Sequence, residues 1–172
     1  MSPFLGPFQN QLDALEARAR RRRLMPRAGH DFASNDYLGL AGDRSIARAV
    51  ADAVARGVPV GSGGSRLLRG NAPEHEALEA RAAAVFGSDA ALFLANGFAA
   101  NMAILACLPG PGDLIVADSL IHASAHDGMK LGKARTVLAL HNDADAFDDA
   151  IAQWRKGGGT GRAWIAAETP YS

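Results

Sequence analysis

His122 stands directly after a short apolar run and four residues before His126, with Asp127 adjacent. An imidazole so placed can stack on a flat heteroaromatic ring or pass protons near neutral pH. Two histidines at this spacing can also share a helix face and hold zinc, but HASAH lacks the glutamate of a zincin helix and no third ligand is marked by position. No metal is therefore expected, and His126 reads as structural or solvent-facing. A second chemical signal is AALFLANGFAANMAI, residues 90–104. If Ala91 to Ala95 is a buried strand, Asn96-Gly97 makes the turn and Phe98 opens a helix whose first N–H groups lack partners. Such a corner can hold a phosphate, because glycine admits close approach and the helix dipole adds partial positive charge. On this stretch alone the plain strand-to-helix turn of a parallel α/β domain is the favoured reading. A type I′ hairpin is a third reading, disfavoured because the residues that follow do not alternate.

Other chemistries are less well marked. GSGGS does not match the G-x-S-x-G spacing of a nucleophile elbow, so no hydrolytic triad is readable. VGSGGSRLLRG, residues 60–70, has no Gly-Lys-Ser/Thr of a Walker A loop and not the spacing of a dinucleotide fingerprint. It reads either as a flexible linker or as a binding loop, with no room for a regular element. Cys107, in the apolar pattern AILACL, reads as buried filler. The run Arg20 to Arg23 is either a solvated basic helix end or an anion site.

The elements that must carry these residues follow from periodicity and punctuation. Gln9 to Arg23 reads as a helix with Leu12 and Leu15 on one face. Asp43 caps a second helix to Arg56, with Ile46, Val50 and Val54 at helical spacing and Gly57 closing it. Pro73 opens a third, with Glu74 and Glu76 in its first turn, Gly87 past its end, and Leu78, Ala82, Val85 and Phe86 as its buried stripe. Leu114–Ala117, Thr136–Leu140 and Trp164–Ala167 read as short buried strands; Ile121–Lys130 and Ala144–Trp154 read as the helices between them. Strands alternating with helices argue for an α/β fold, a mostly parallel sheet flanked by helices. In that architecture the ligand site lies past the strand C-termini, where Asn96 to Phe98, Asp118 to His122 and Glu168 to Ser172 all fall.

The chain of 172 residues is 48% hydrophobic and 21% charged, an ordinary globular composition. With 18 basic and 18 acidic residues, nothing in the global charge calls for nucleic acid or a membrane surface. A single cysteine excludes an internal disulfide framework, and no run approaches a membrane span or a leader h-region, so a cytoplasmic protein is expected.

Four motifs in order, FASNDYLGLA, GSGGSRLLRGNAPEHEALE, ALFLANGFAANMAIL and ADSLIHASAHDGMKLGKA, resemble the N-terminal half of the pyridoxal-phosphate-dependent α-oxoamine synthases. The resemblance runs from about Asp31 to Ser172, and more loosely through the Arg20 to Arg23 run. It implies residues 1–30 as an N-terminal helical arm and 31–172 as the first part of a fold-type I PLP-transferase (aminotransferase-like) large domain. It implies a homodimer with active sites at the subunit interface, residues 61–70 forming part of the interface loop. The GSGGSRLLRG wording is nearest the branch that condenses L-alanine, with loss of CO2, with pimeloyl-CoA or its acyl-carrier-protein thioester in biotin synthesis. By position, Asn96, Gly97 and Phe98 match the phosphate side of the cofactor, and His122 the imidazole that stacks on the pyridine ring. Ser172 matches a cofactor-contacting serine, with Glu168 on the same edge. Arg21 matches an arginine that receives the acyl substrate, and Asn35 a motif lining the substrate end. The family's Schiff-base lysine, and the aspartate that pairs with the pyridinium nitrogen, belong to segments beyond Ser172. Lys130, Lys133 and Lys156 lie outside that lysine's context, so the chain is expected to be a truncated form, inactive alone.

Overall fold

The computed structural model describes residues 5–26, 28–169 and 171. They form two compact units, one ending at Ser62 and one beginning at Gly63.

Among its described residues the first unit carries two α-helices. α1 (Gly6–Ala17) starts on Pro7 and stops short of the basic run, the chain turning through Ala19 at φ 54°. The expected helix to Arg23 is therefore too long. Arg21 and Arg23 instead fold back, 3.3 Å and 3.4 Å from the Glu16 carboxylate. A tight turn at 34–41 is held by Asp36, whose carboxylate accepts from the N–H groups of Leu40 and Ala41. α2 (Arg44–Ala55) begins where expected, the Asp43 side chain accepting from Ser45 and Ile46 N–H. Its apolar stripe, Ile46, Val50 and Val54, has the predicted helical period but is exposed.

The second unit holds a three-stranded parallel sheet of order β2-β1-β3, formed by β1 (Leu114–Asp118), β2 (Arg135–Ala139) and β3 (Ala163–Ala166). β1 is buried on both faces, as an unbroken LIVA run requires. Ile115 and Ala117 pack with Leu105, Ile121, Ala125 and Met129, whereas Leu114 and Val116 pack with Ala139 and Phe147. The helices thus divide between the faces: α4 (Gly97–Cys107) and α5 (Ala123–Leu131) cover one, α6 (Ala144–Lys156) the other. Phe147, Ile151 and Trp154, predicted to share a helix face, do so against the sheet. α4 and α5 approach closely because Gly128 has no side chain: a Cβ there would lie 2.9 Å from the Met102 backbone.

Four further expectations are corrected. Residues 91–95 are not a strand: no strand lies beside them among the described residues, and Leu92 is 72% exposed. A backbone needs a neighbouring ladder to become sheet, and here Phe93 N–H is taken by the Glu79 carboxylate instead. Residues 66–70 are not structureless but form one wide helical turn, Gly70 N–H reaching Ser65 O. Arg66 projects from it onto Glu79 of α3 (Pro73–Phe86), which ends at Gly87 in the left-handed conformation. The α3 stripe Leu78, Val85 and Phe86 is exposed among the described residues, as is Cys107, because neither faces the sheet.

Candidate active site at the strand C-termini

The strand order reverses at β1: α5 carries the chain from β1 to β2, and α6 carries it back past β1 to β3 on the other face. Outside the C-terminal ends of β1 and β3 such a sheet leaves a crevice, the usual ligand position in open α/β sheets. His122 follows β1 and Glu168 follows β3, and they meet there, the His122 N–H donating to Glu168 Oε2 at 2.9 Å.

His122 is the N-cap of α5, not part of its face, so it does not pair with His126 as two ligands on one helix would. Among the described residues no three potential metal ligands converge. Its Nδ1 accepts from Ser124 N–H at 3.2 Å and lies 2.7 Å from Ser124 Oγ. Because a backbone N–H can only donate, Nδ1 is the acceptor and the neutral ring carries its proton on Nε2. Asn101 of α4 donates in turn to the buried Ser124 hydroxyl at 3.0 Å, fixing α5 and its cap to α4. His122 itself is exposed, its ring centroid 6.3 Å from that of Phe98 at an interplanar angle of 81°.

The α4 N-terminus stands beside it. Asn96 caps the helix by accepting from Ala99 N–H at 2.8 Å. The N–H groups of Gly97 and Phe98 have no acceptor among the described residues, and no heavy atom lies within 4 Å of an added Gly97 Cβ. Two free donors at a helix start suit an anion, and an exposed imidazole one ring away suits a flat aromatic. The donor set fits a phosphorylated heteroaromatic such as pyridoxal phosphate.

Asn96, Gly97, Phe98, His122 and Glu168 are thus brought to one edge. Ser172 lies outside the described residues. Arg21 and Asn35 belong to the other unit, Arg21 paired with Glu16 and Asn35 exposed. Lys130 pairs with Asp127 at 3.3 Å, and Lys133 and Lys156 are exposed in other parts of the second unit.

Two clusters escaped sequence reasoning. At the end of β1, Asp118 is only 2% exposed and accepts from Leu120 N–H, Asn142 N–H and His141 Nδ1. Burial works to raise its carboxyl, but the Leu120 and Asn142 N–H groups, His141 and the Tyr171 hydroxyl outweigh it and bring it from 3.8 to about 2. The signal was present: His141-Asn142-Asp143 directly follows a strand, as the other site segments do. The second cluster is Arg66–Glu79, a two-point ion pair that also takes Phe93 N–H. The Arg66 side chain, followed by Phe93 N–H, lowers the Glu79 carboxyl from 4.5 to about 2.

A family model described as aminotransferase class I and II matches residues 29–172. The chain belongs to that family. Among its aminotransferase class I and II relatives, the 8-amino-7-oxononanoate synthase of Mycolicibacterium smegmatis is 45% identical over 122 residues, 71% of this chain and 32% of that protein. That of Methylorubrum populi is 39% identical over 194 aligned residues, 100% of this chain and 49% of that protein. Among solved structures, serine palmitoyltransferase of Sphingomonas wittichii superposes with a TM-score of 0.72 at 25% identity, over 89% of this chain and 42% of its own. The 8-amino-7-oxononanoate synthase of Francisella tularensis gives 0.58 at 30% identity, over 69% of this chain and 33% of its own. These matches bear out the expected fold-type I PLP-transferase sheet and the resemblance to α-oxoamine synthases. The chain spans about a third to a half of the length of the curated relatives it matches.

Proposed function

We propose that this chain is the N-terminal part of a pyridoxal-phosphate-dependent C-acyltransferase. The reaction is the decarboxylative condensation of L-alanine with pimeloyl-CoA, or pimeloyl-carrier protein, to 8-amino-7-oxononanoate in biotin biosynthesis. The observation that carries the reading is the meeting of the free α4 N-terminus, the exposed His122 ring and Glu168 at one strand edge, in a chain 45% identical to an enzyme of that name.

When bound, pyridoxal phosphate supplies the electron sink for the carbon that loses CO2. The chain's own residues bind and orient. Gly97 and Phe98 N–H groups receive the phosphate, with the α4 dipole behind them. His122, its ring held by Ser124 at Nδ1 and its backbone by Glu168, would lie against the pyridine ring. Ser172 adds a cofactor contact, and Arg21 and Asn35 receive the acyl thioester. The working form is a homodimer, located in the cytoplasm. None of Lys130, Lys133 and Lys156 tethers the cofactor, so this chain alone binds it weakly and does not turn over.

The test is to add pyridoxal phosphate to the chain, reduce with borohydride and map lysine adducts by mass spectrometry, alongside product analysis from alanine and pimeloyl-CoA. No single-site adduct and no product are expected from the chain, and product from the complete enzyme. An adduct at one lysine with turnover by the chain would overturn the truncation reading; a complete enzyme inert with these substrates would overturn the substrate assignment. The serine palmitoyltransferase superposition favours a second reading, another α-oxoamine synthase. Serine with palmitoyl-CoA, assayed in parallel, separates the two. If the chain instead sediments as a folded dimer without cofactor affinity, it is a dimerisation module.

A further inference from the structure

We propose that Ser124 and Asn101 are positioning residues that lock the His122 ring in one tautomer beside the α4 corner. The inference rests on the reading that the edge formed by His122 and the α4 N-terminus holds pyridoxal phosphate. Three hydrogen bonds define it, running from α4 through the first turn of α5 to the imidazole. Asn101 Nδ2 donates to Ser124 Oγ at 3.0 Å, Ser124 Oγ lies 2.7 Å from His122 Nδ1, and Ser124 N–H reaches the same Nδ1 at 3.2 Å.

The backbone N–H sets the direction of the series, because it can only donate and cannot be turned round. Nδ1 is then an acceptor, so the donor in the 2.7 Å contact is the Ser124 hydroxyl. That hydroxyl has one proton to give. By donating to Oγ, the Asn101 amide fills a lone pair of the oxygen and leaves its proton for Nδ1. A ring protonated at Nδ1 would set N–H against N–H and take the acceptor from Ser124, a residue too deeply buried for water to replace it. Stapling α4 to α5 would need only the bond between Asn101 and Ser124; the two bonds onto Nδ1 carry that hold into the imidazole. Asn101 also stands one turn beyond Gly97 in α4, so the helix that begins with the free N–H groups is the helix that sets the ring beside them.

The experiment uses the complete enzyme that contains this chain, prepared with isotope-labelled histidine. The ring-nitrogen signals of His122, assigned by their loss in His122→Gln, are read by NMR before pyridoxal phosphate is added. In wild type the neutral ring should show a single tautomer, protonated at Nε2. Ser124→Ala removes the hydroxyl; Asn101→Asp keeps the shape but replaces the donor with an acceptor that draws the hydroxyl proton away from Nδ1. Each variant should show a mixture of tautomers. Each should also raise the pyridoxal-phosphate dissociation constant about five- to tenfold, the change one hydrogen bond makes. An unchanged tautomer or an unchanged affinity in both variants, whatever their melting temperatures, overturns the proposal and reduces the series to a helix staple. So does a wild-type ring that is not held in the Nε2–H form. A wild-type enzyme that shows the single tautomer but takes up no pyridoxal phosphate overturns the site reading, while the lock on the ring stands.

Discussion

Glu79 shows how much one carboxylate can organise. It accepts the Arg66 guanidinium at two points and Phe93 N–H at 2.8 Å, joining the Gly/Ser-rich loop, α3 and the approach to the Asn96-Gly97 corner. Its carboxyl is lowered from 4.5 to about 2, first by Arg66 and then by Phe93 N–H. A carboxyl depressed in the folded state contributes stability above its unfolded value and loses it as the pH falls toward the folded one. The contribution of Glu79 is therefore complete above pH 4.5 and declines from there to about 2. Glu79→Gln should lower stability at neutral pH and flatten its fall across that window, read from urea unfolding at a series of pH values. A variant as acid-sensitive as wild type would show the pairing to be energetically idle. Nothing at residue scale announced it: Arg66 and Glu79 are 13 apart in a loop and a helix with no shared period. Local spacing did announce Asp43, whose cap reaches only two and three residues on.

At the scale of elements, legibility followed sheet partnership. β1, β2, β3, α5 and α6 were readable to within a few residues, because apolar runs and helical periods that meet a neighbour become the elements they suggest. Residues 91–95 have the same apolar composition but no neighbouring ladder among the described residues, and composition alone does not report a partner. The stripes of α2 and α3 were read in the right period, yet periodicity says which side is apolar and not whether anything covers it. The site was half legible: the rule that ligands gather past strand ends located His122 and Glu168, but the hydrogen bond joining them spans 46 residues and needed the fold. The α4–α5 contact has its own test. A Cβ at Gly128 would meet Met102 Cα and carbonyl oxygen at 2.9 Å and Leu105 Cβ at 3.1 Å. Backbone cannot swing aside as a side chain can, so Gly128→Ala should destabilise by about 1–3 kcal/mol, measured by chemical denaturation. Because Ser124 stands in the first turn of α5, the same change should also loosen the Asn101–Ser124 link.

For the molecule as a whole, the second unit is a sheet covered on both faces over its middle strand, with large apolar side chains such as Phe86, Leu67 and Leu92 exposed. These side chains lie outside the packing around β1, which is filled on both faces. The interior and the surface therefore differ in how firmly they are held. β1 is hydrogen-bonded to a strand on each side along most of its length, and its first four residues are wholly buried. Its amides can reach solvent only when both ladders and both helical layers part together. In deuterium oxide, the Ile115 to Ala117 amides should exchange last of all and report the opening of the whole sheet. Those of Leu92, Leu94 and Ala95, which among the described residues lack the acceptor that holds Phe93 N–H, should exchange within the first minutes, and equal rates in the two segments would contradict this. Adding pyridoxal phosphate to the complete enzyme should then slow exchange at Gly97 and Phe98 locally, and slow β1 only by the factor by which global opening becomes rarer. Solvent isotope uptake would thus distinguish a ligand that grips the corner from one that merely steadies the fold.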